Sequence, residues 1–378
     1  MTSIAKPIAA HPRLKTNALG LTQRDYEGGM STLCAGCGHD SVTAAIVQAT
    51  WELGIEPHRA AKMSGIGCSS KTTAYFLKQS HGFNSVHGRM PSVASGAAAA
   101  NRSLSVIGIS GDGDSLSIGL GQLSHAIRRN VNMIYIIENN GVYGLTKGQF
   151  SASADIGSTL KKGEVNEQPP IDPVLLALSV GATFVGRSFS GDKRQLVPII
   201  KAAISHRGLA LVDVISPCVT FNNHEGSTKS YQYTREHDVE AVEADYIPVC
   251  EPIEITGLGE AGGNGHVGNG EANAGHTGHD RPANGDGSLR VVQLHDGGTV
   301  RLRTTDASYD PTNRASAYQH ISGCQSRGEI ATGLLFVDES SRSMHDVLKT
   351  TATPLVDLSH ADLCPGSAAL EKLMTRFR

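Results

Sequence analysis

Short apolar runs alternate with helical patterns over the first 220 residues of the chain. Residues 104–110 and 131–138 are apolar runs rich in β-branched side chains, and the segment between them has helical spacing. The order strand, glycine turn, helix, strand predicts a βαβ unit, whose parallel strands are covered on both faces. We therefore expect an open, mostly parallel α/β sheet with helices on both faces, followed by a C-terminal extension.

The same periods predict the other elements. A helix is expected from Asp40 to Leu53, because its apolar residues recur every three or four positions. Residues 60–70 are expected to form a short segment that enters a glycine turn. The remaining predicted elements are helices at 173–182, 192–205 and 367–378, strands at 182–189, 209–215 and 333–339, and a hairpin at 290–303.

Changes in composition divide the chain into five regions. Residues 257–287 contain eleven glycines and almost no apolar side chains, which predicts a flexible Gly/His/Asn-rich insert. The insert's histidines, His266, His276 and His279, are disfavoured as metal ligands because ordering a glycine-rich chain is entropically costly. The expected regions are an N-terminal surface extension at 1–30, a main domain at 31–223, a connecting segment at 224–256, the insert at 257–288 and a C-terminal region at 289–378.

Charge and cysteine usage exclude several classes of protein. The 33 Lys and Arg residues nearly balance the 36 Asp and Glu residues, so no nucleic-acid or anionic-membrane surface is expected. No apolar run approaches the ~20 residues that span a bilayer. The seven cysteines are an odd number, and no signal segment precedes them, so a disulfide framework is not expected. These features predict a cytoplasmic protein.

Polar residues follow two neighbouring strands of the predicted sheet. Gly111-Asp112-Gly113 follows the first apolar run, and Asn139-Asn140 follows the second. In an open parallel sheet both would face the crevice at the carboxyl ends of the strands. The glycines would let the backbone approach a phosphate, while a carboxylate and an amide oxygen suit Mg²⁺.

The alternative is that both motifs are ordinary turns, with Asp114 capping a helix. The spacing argues against this, because 25 residues separate the two motifs, which matches the thiamine-diphosphate signature of GDG followed by NN. Nicotinamide binding is disfavoured, because no G-x-G-x-x-G follows the first strand.

Four cysteines come from turns or strand ends. Cys34 and Cys37 form a C-x-x-C motif, Cys68 lies in a glycine turn, and Cys218 follows the strand at 209–215. Four thiolates could bind a [4Fe–4S] cluster or a tetrahedral zinc ion. A redox dithiol or small core residues are further possibilities, and spacing alone does not choose among them.

The order of these motifs resembles the β subunits of 2-oxoacid:ferredoxin oxidoreductases, most closely those that act on 2-oxoglutarate. The motifs that carry the resemblance are C-x-G-C-G-H, G-I-G-C-S-S, H-G-R, G-D-G-D, R-R-N, N-N-x-x-Y-G-L-T-K-G-Q and S-P-C-V-T-F-N-N, between residues 34 and 223, with H-D-G-x-x-V-R-L-R and D-P-T-N-R beyond them. Gln122 stands where a histidine is expected, and the N-terminal extension and the insert have no counterpart.

The resemblance implies that residues 31–223 bind thiamine diphosphate, Mg²⁺ and one [4Fe–4S] cluster. The implied cluster ligands are Cys34, Cys37, Cys68 and Cys218, and the implied magnesium ligands are Asp112, Asn140 and the carbonyl of Val142. The implied cofactor contacts are Gly65, Ile66, Gly67, Ser69, Ser70, His87, Gly111, Gly113 and Asp114. Cys250, Cys324 and Cys364 would be ordinary thiols.

The resemblance also implies partners. No residue of this chain is expected to be the catalytic base, and an α subunit, in a heterodimer or heterotetramer, would supply that carboxylate. Ferredoxin would accept the electrons, and coenzyme A would accept the acyl group.

For the substrate, Lys71, Leu145 and Lys147 lie beside the cofactor motifs. The cation of Lys71 favours 2-oxoglutarate, whose distal carboxylate it could bind, over pyruvate. The alternatives are a pyruvate or broad-range β subunit, a zinc-stabilised lyase subunit that binds thiamine diphosphate without electron transfer, and a non-catalytic assembly subunit.

Overall fold

A single ten-stranded sheet forms the centre of the computed structural model, which describes residues 13–159, 163–249, 288–364 and 366–377. The strands of this sheet are β1 (Ala60–Ser64), β2 (His81–Asn84), β3 (Ser105–Gly111), β4 (Met133–Asn139), β7 (Phe184–Phe189), β8 (Leu209–Ile215), β9 (Asp238–Ile247), β10 (Leu289–Gln293), β11 (Thr299–Thr304) and β12 (Ile330–Val337), and β5 (Val142–Tyr143) pairs with β6 (Gln149–Phe150) outside it. Their order across the sheet is β10-β11-β9-β12-β7-β8-β4-β3-β1-β2.

Helices cover this sheet. The α-helices are α1 (Gly38–Glu52), α2 (Met90–Ala100), α3 (Leu120–Arg128), α4 (Pro173–Ser179), α5 (Lys193–Ser205), α6 (Tyr231–His237), α7 (Arg314–Ser326), α8 (Met344–Leu348), α9 (His360–Leu363) and α10 (Ser367–Met374). Helix α5 packs with α1, and α4 packs with α7, while α4 and α5 both contact β7 and β8. None of the helices in the described ranges is long and apolar enough to cross a bilayer.

The central strands confirm the predicted parallel α/β sheet. The strands from β7 through β8, β4, β3 and β1 to β2 are parallel, and β4 and β8 are buried along their whole length. Burial on both faces explains why these strands are continuous apolar runs rather than alternating patterns. In the register of the sheet, Gly111 lies beside Glu138, and Asn139 lies beside Ile215. The residues that follow β3, β4 and β8 therefore emerge at one edge.

The C-terminal region extends the same sheet. The predicted hairpin is present as β10 and β11, which are antiparallel, and β11 continues onto β9. Strand β12 joins this part to the parallel strands by pairing antiparallel with β7. Residues 224–256, predicted as a connecting segment, thus contribute α6 and β9 to the fold. The predicted insert, apart from Ser288, and Cys250 lie outside the described residues.

Two local expectations need correction. Part of the N-terminal extension is built into the core, since Tyr26 is fully buried and its hydroxyl donates to the carbonyl of Ile55 at 2.8 Å. Its single aromatic ring lies in a polar stretch without periodicity, so pattern analysis does not detect it. Residues 60–64 form the buried strand β1. The sequence did not predict this strand, because the run is too short to be recognised beside its glycine turn.

The helix after the Gly-Asp-Gly turn is interrupted. Residues Gly113–Ile118 form a π-helical turn, and α3 begins only at Leu120. The amide of Gly119 donates to the carbonyl of Asp114, five residues earlier, at 2.9 Å. A side chain at 119 would meet that carbonyl and the backbone of Gly88, so glycine permits the tight approach. Such π turns are frequent at functional sites.

Candidate cofactor and cysteine site

Three strand ends meet at a narrow cleft. The cleft is lined by residues that follow β1, β3 and β4, together with His39 and His87. Of the predicted site residues, it gathers Ile66, Gly67, Cys68, Ser69, His87, Gly111, Asp112, Gly113, Asp114, Asn140, Val142 and Leu145. Its cavity volume is about 30 Å³, because side chains lie directly against the glycines of both turns.

Asp112 is a buried carboxylate at the end of β3. It is 1 % exposed and accepts hydrogen bonds from the hydroxyls of Ser151 and Ser153 and, at 3.3 Å, from the amide of Asn140. Burial raises its pKa, and these hydrogen bonds oppose the rise. None of the described residues gives Asp112 a cationic partner. A buried carboxylate with only neutral donors fits a bound cation, which would supply the missing countercharge.

Asn140 places a second oxygen donor in the same cleft. Its side-chain oxygen accepts from the amide of Val142 at 3.1 Å, and its carbonyl accepts from the side chain of Asn222 at 2.8 Å. These bonds fix the turn between β4 and β5. One carboxylate, one amide oxygen and nearby backbone carbonyls form the hard oxygen set that suits Mg²⁺.

The glycines of the cleft are needed for close packing. An added Cβ at Gly113 would lie 2.6 Å from the ring of Tyr143, and one at Gly111 would lie 2.8 Å from the hydroxyl oxygen of Ser69. These contacts are shorter than van der Waals distances, so a larger residue at either position would push the Gly111–Gly113 turn away from Tyr143 or Ser69. The backbone is therefore exposed to the cleft, as binding of a diphosphate requires.

Asp114 has a bridging role in this structure. Its carboxylate accepts from the ring of His87, from the amide of Gly88 at 2.7 Å and from the hydroxyl of Ser110 at 2.7 Å. A weaker bond at 3.3 Å comes from the amide of Ile66. Asp114 thus connects the turns after β1 and β3 to the His87 loop, rather than serving only as a helix cap.

The four predicted cysteine ligands come from segments that contact one another. The amide of Cys37 donates to the carbonyl of Cys34 at 3.0 Å, and the hydroxyl of Thr220 approaches the sulfur of Cys34 at 3.5 Å. A Cβ added to Gly144 would lie 3.4 Å from the sulfur of Cys68 and 3.8 Å from that of Cys218. Gly144 also lines the cleft, so the cysteine group and the cleft share a wall.

Electrostatic effects also connect these thiols. Burial raises the pKa of Cys37 to about 12, and the thiolate of Cys218 adds to the rise. Burial raises the pKa of Cys68, and Cys218 raises it further, whereas the ammonium of Lys71 lowers it. A bound metal would have to offset this cost by stabilising the thiolates directly.

The spacing of the thiols bears on which metal group they fit. Within the described ranges, no three His, Cys, Asp or Glu side chains are grouped closely enough to hold a single metal ion. A tetrahedral zinc site with Zn–S bonds of about 2.3 Å would bring its sulfurs to within about 3.8 Å of each other. A cluster binds each thiolate through a different iron and therefore accepts a wider arrangement.

Two buried residues were missed by the sequence analysis. The Nδ1 atom of His39 lies 2.6 Å from the hydroxyl of Ser216 and 3.5 Å from the carboxylate of Glu138. Burial lowers the pKa of His39 to about 4 and raises that of Glu138 well above its usual range. Within the described part of the chain, neither carboxylate oxygen of Glu138 has a hydrogen bond of good geometry, although the nearby hydroxyl of Thr72 partly opposes the rise in its pKa. The signals were the histidine in C-x-G-C-G-H and a carboxylate at the end of an apolar strand.

The predicted substrate residues are not all brought together. Leu145 lines the cleft, but the structure does not bring Lys147 to it. Lys71 and Ser70 line a separate, open cavity of about 570 Å³ on the other side of the Cys68 turn, together with Lys62. Among the described residues, none that lines this cavity carries a carboxylate, and none pairs with the buried hydroxyl of Ser70. Gly65 lies behind the cleft, against Asp114.

Comparisons with known proteins agree with this arrangement. Residues 65–214 match the family described as thiamine pyrophosphate enzyme, C-terminal TPP binding domain. The chain is 43% identical over 223 residues to a 2-oxoacid:ferredoxin oxidoreductase subunit beta of Saccharolobus solfataricus, which covers 58% of this chain and 70% of the relative. It is also 43% identical over 191 residues to the 2-oxoglutarate oxidoreductase subunit KorB of Mycobacterium tuberculosis, covering 50% of this chain and 51% of that protein.

A solved structure extends the likeness to nearly the whole chain. The 2-oxoglutarate:ferredoxin oxidoreductase from Magnetococcus marinus, solved with 2-oxoglutarate, coenzyme A and succinyl-CoA bound, superposes with a TM-score of 0.65 at 26% identity. The match covers 91% of this chain and 92% of that one. Since the sequence identity to the Saccharolobus subunit extends over more than two thirds of that protein, the chain belongs to the β subunits of the 2-oxoacid:ferredoxin oxidoreductases.

Proposed function

We propose that this chain is the β subunit of a cytoplasmic 2-oxoglutarate:ferredoxin oxidoreductase. The enzyme would convert 2-oxoglutarate, coenzyme A and oxidised ferredoxin to succinyl-CoA, CO₂ and reduced ferredoxin. The observation that carries this proposal is the shared wall between the cleft and the cysteine group, formed by the Cys68 turn and Gly144. A cofactor in the cleft and an electron acceptor held by the cysteines would be direct neighbours.

Each cofactor has a set of residues that would hold it. Asp112, Asn140 and the carbonyl of Val142 would bind Mg²⁺, and the glycine turns after β1 and β3 would receive the diphosphate of thiamine. Cys34, Cys37, Cys68 and Cys218 would hold one [4Fe–4S] cluster. Residues 31–223 would then be the cofactor-binding domain, with residues 289–378 as a C-terminal region on the same sheet.

When bound, thiamine diphosphate would supply the electron sink for loss of CO₂, and the cluster would carry the electrons away. The chain's own residues would orient the cofactor and exclude water from it, and they would not move protons. Among the described residues that line the cleft, Asp112 and Asp114 are the only carboxylates, and both accept several hydrogen bonds. Neither is free to act as the base, which supports a base carboxylate from an α subunit.

The choice of 2-oxoglutarate rests on relatives and on charge. The Mycobacterium relative and the Magnetococcus structure are both named for 2-oxoglutarate. Lys71 adds a cation beside the Cys68 turn, and its ammonium has one weak hydrogen bond, of 3.4 Å, to the carbonyl of Thr32. Because Lys71 lines the separate cavity rather than the cleft, it would bind the distal carboxylate of a dicarboxylic acid that extends from the cleft past the Cys68 turn. A broad-range β subunit is the second candidate, because the Saccharolobus relative is named for 2-oxoacids in general.

The substrate is tested with the variant Lys71→Ile in the complete αβ enzyme. We expect the KM for 2-oxoglutarate to rise at least about tenfold, the effect of losing ~1.4 kcal/mol of binding, with little change for pyruvate. Lys78→Ile is the matched control, because Lys78 is exposed on the same loop and does not line the Lys71 cavity. Equal effects of Lys71→Ile on both acids would contradict the assignment.

The activity itself is tested by anaerobic co-purification with the α subunit and a ferredoxin-linked assay. We expect a brown complex containing iron and acid-labile sulfide, and ferredoxin reduction that requires both 2-oxoglutarate and coenzyme A. A colourless complex that contains zinc, or decarboxylation without ferredoxin reduction, would instead favour a zinc-stabilised lyase subunit. A complex with neither metal nor thiamine would favour an assembly role.

A further inference from the structure

A chain of buried polar groups leads from Asp112 into the centre of the sheet. The hydroxyl of Ser153 lies 2.7 Å from Asp112 and 2.9 Å from the side-chain oxygen of Asn139. The side-chain nitrogen of Asn139 donates to Asp213 at 3.0 Å. Asp213 in turn accepts from Arg187 at 2.8 Å. All five side chains are at least nine-tenths buried.

Arg187 fixes the far end of this chain. Its guanidinium bridges Asp213 and, at 2.6 Å, Asp172, whose other oxygen caps the N-terminus of α4. The same cation thus holds both carboxylates in place: Arg187 and Asp213 are partners on the parallel strands β7 and β8, and Asp172 precedes α4. A paired, ionised carboxylate only accepts hydrogen bonds. Asp213 therefore forces the amide of Asn139 to turn its NH₂ group inward and its oxygen toward Ser153.

The Ser153 hydroxyl then has two short acceptors for one proton, Asp112 and Asn139, and a weaker one, the hydroxyl of Ser151 at 3.2 Å. A hydroxyl donates a single hydrogen bond, and Asp112 and the Asn139 oxygen lie at nearly equal distances from it. A cation at Asp112 would bind the carboxylate lone pair that now accepts the hydrogen bond of the Ser153 hydroxyl. With Asn139 in place, the Ser153 hydroxyl can rotate away from Asp112 and donate its hydrogen bond to the Asn139 oxygen instead. Without Asn139, cation binding would leave this buried donor only the longer contact to Ser151, whose own hydroxyl is bonded to Asp112, and a poorly paired buried donor is costly.

We propose that Asn139, oriented by Asp213 and Arg187, is a positioning residue that lets Ser153 release Asp112 to a divalent cation. The inference rests on the proposed metal site at Asp112. It assigns the first asparagine of the Asn139-Asn140 pair a role distinct from that of the second. Asn140 would bind the cation, whereas Asn139 would accept the hydrogen bond of the Ser153 hydroxyl that the cation displaces from Asp112.

The test is a double-mutant cycle read by metal binding instead of activity. The αβ complex is saturated with thiamine diphosphate, and Mn²⁺ is titrated as the probe, with free Mn²⁺ followed by electron paramagnetic resonance. We expect Asn139→Leu to raise the Kd for Mn²⁺ about 10-fold, the lower end of effects seen for residues that support metal ligands. Ser153→Ala is expected to bind Mn²⁺ as tightly as the wild type or more tightly, because it removes one of the two hydroxyl donors that compete with the cation for Asp112.

The double variant decides between positioning and a merely structural role. If Asn139 acts by accepting the Ser153 proton, Asn139→Leu costs nothing once Ser153 is alanine, so the double variant should match Ser153→Ala. A loss that is the same in both backgrounds would overturn the proposal. Ser117→Ala is the matched control, because Ser117 bonds the amide of Ala152 in the same loop and makes no hydrogen bond to Asp112.

Two further outcomes are distinguishable. If Asn139→Leu does not fold, weaker Mn²⁺ binding by Ser153→Ala alone overturns the proposal, and equal or tighter binding supports it. If the wild-type complex with thiamine diphosphate binds no Mn²⁺, the metal site at Asp112 fails and this inference fails with it. Binding in the wild type with an additive cycle overturns the inference and leaves the proposed function intact.

Discussion

Replacing Asp112 with asparagine tests whether the cleft is built for a cation. The carboxylate is 1 % exposed, has neutral donors only and has a raised pKa, so its charge is poorly compensated within the chain. Asparagine has the same shape and can direct its oxygen to Ser151 and Ser153. It loses the 3.3 Å bond from Asn140, a loss of about 1 kcal/mol. Removing a buried charge gains at least as much, because the desolvation of an unpaired ion costs several kcal/mol.

The expected result is therefore opposite for the apoprotein and the holoprotein. Without ligands, the free energy of unfolding of Asp112→Asn should be at most about 1 kcal/mol below that of the wild type, or should exceed it. With thiamine diphosphate and Mg²⁺ at 100 times the wild-type Kd, the wild type should gain about 2.7 kcal/mol through linkage. The variant should gain less than about 0.5 kcal/mol, because losing a charged ligand should weaken binding by a hundredfold or more.

The assay is chemical denaturation of the αβ complex, with and without the two ligands. Asp192→Asn is the control, since Asp192 caps α5 without lining the cleft and asparagine caps helices equally well. The reasoning is refuted if Asp112→Asn retains the full stabilisation by ligand. It is also refuted if the apo variant is several kcal/mol less stable, because Asp112 would then be a structural carboxylate.

Three further predictions concern separate parts of the fold. Cys34→Ser should lose iron and brown colour in anaerobic preparations, whereas Cys364→Ser, exposed and distant in sequence, should keep both; equal iron content would contradict the ligand set. Gly65→Ala should destabilise the protein by more than about 2 kcal/mol in denaturant melts, because its Cβ would collide with the carboxylate of Asp114. Gly96→Ala, with open space at its Cβ, should stabilise α2 by about 0.5–1 kcal/mol. Burial lowers the pKa of His206 to about 3, so stability should fall by up to about 1.4 kcal/mol per pH unit below pH 6.5, until the folded pKa is reached. His206→Gln should have a shallower pH dependence in the same range, and an unchanged slope would argue against burial of a neutral ring.

The sequence predicted the parallel core well because its strands are buried on both faces. Strands β3, β4 and β8 are short, continuous apolar runs, a pattern that differs from the periodic spacing of an amphipathic helix. Glycine or asparagine turns follow β3 and β4. Strand β1 was not recognised, although it is entirely buried, because it has five residues and includes Lys62. The ammonium of Lys62 is satisfied by the carbonyls of Phe76 and Leu77, and such pairing is invisible in the sequence.

In the candidate site, too, some features could be predicted from the sequence and others depend on contacts that it does not show. Asp112 and Asn140 could be placed in one cleft from the sequence, because each follows a strand of the parallel sheet directly. Lys71 was expected beside the cleft because it follows the Cys68 turn. The turn continues as a 3-10 helix over Ser69–Ala74, and this curvature directs Lys71 into the neighbouring cavity. Chain order gives proximity, but the direction of a side chain depends on the local backbone.

Gly144 explains how a cofactor cleft and a cysteine group can be neighbours on one sheet edge. It lines the cleft, and the space that its side chain would occupy borders the sulfurs of Cys68 and Cys218. A Cβ at this position would be in van der Waals contact with both sulfurs, so a side chain longer than that of alanine would separate the two sites or push the sulfurs outward. Electron transfer weakens steeply as the distance between donor and acceptor increases, so a wall made of one glycine and one turn favours it. Cys68 belongs to both sides of that wall, which means that a change in the cofactor turn cannot leave the cysteine group unaffected.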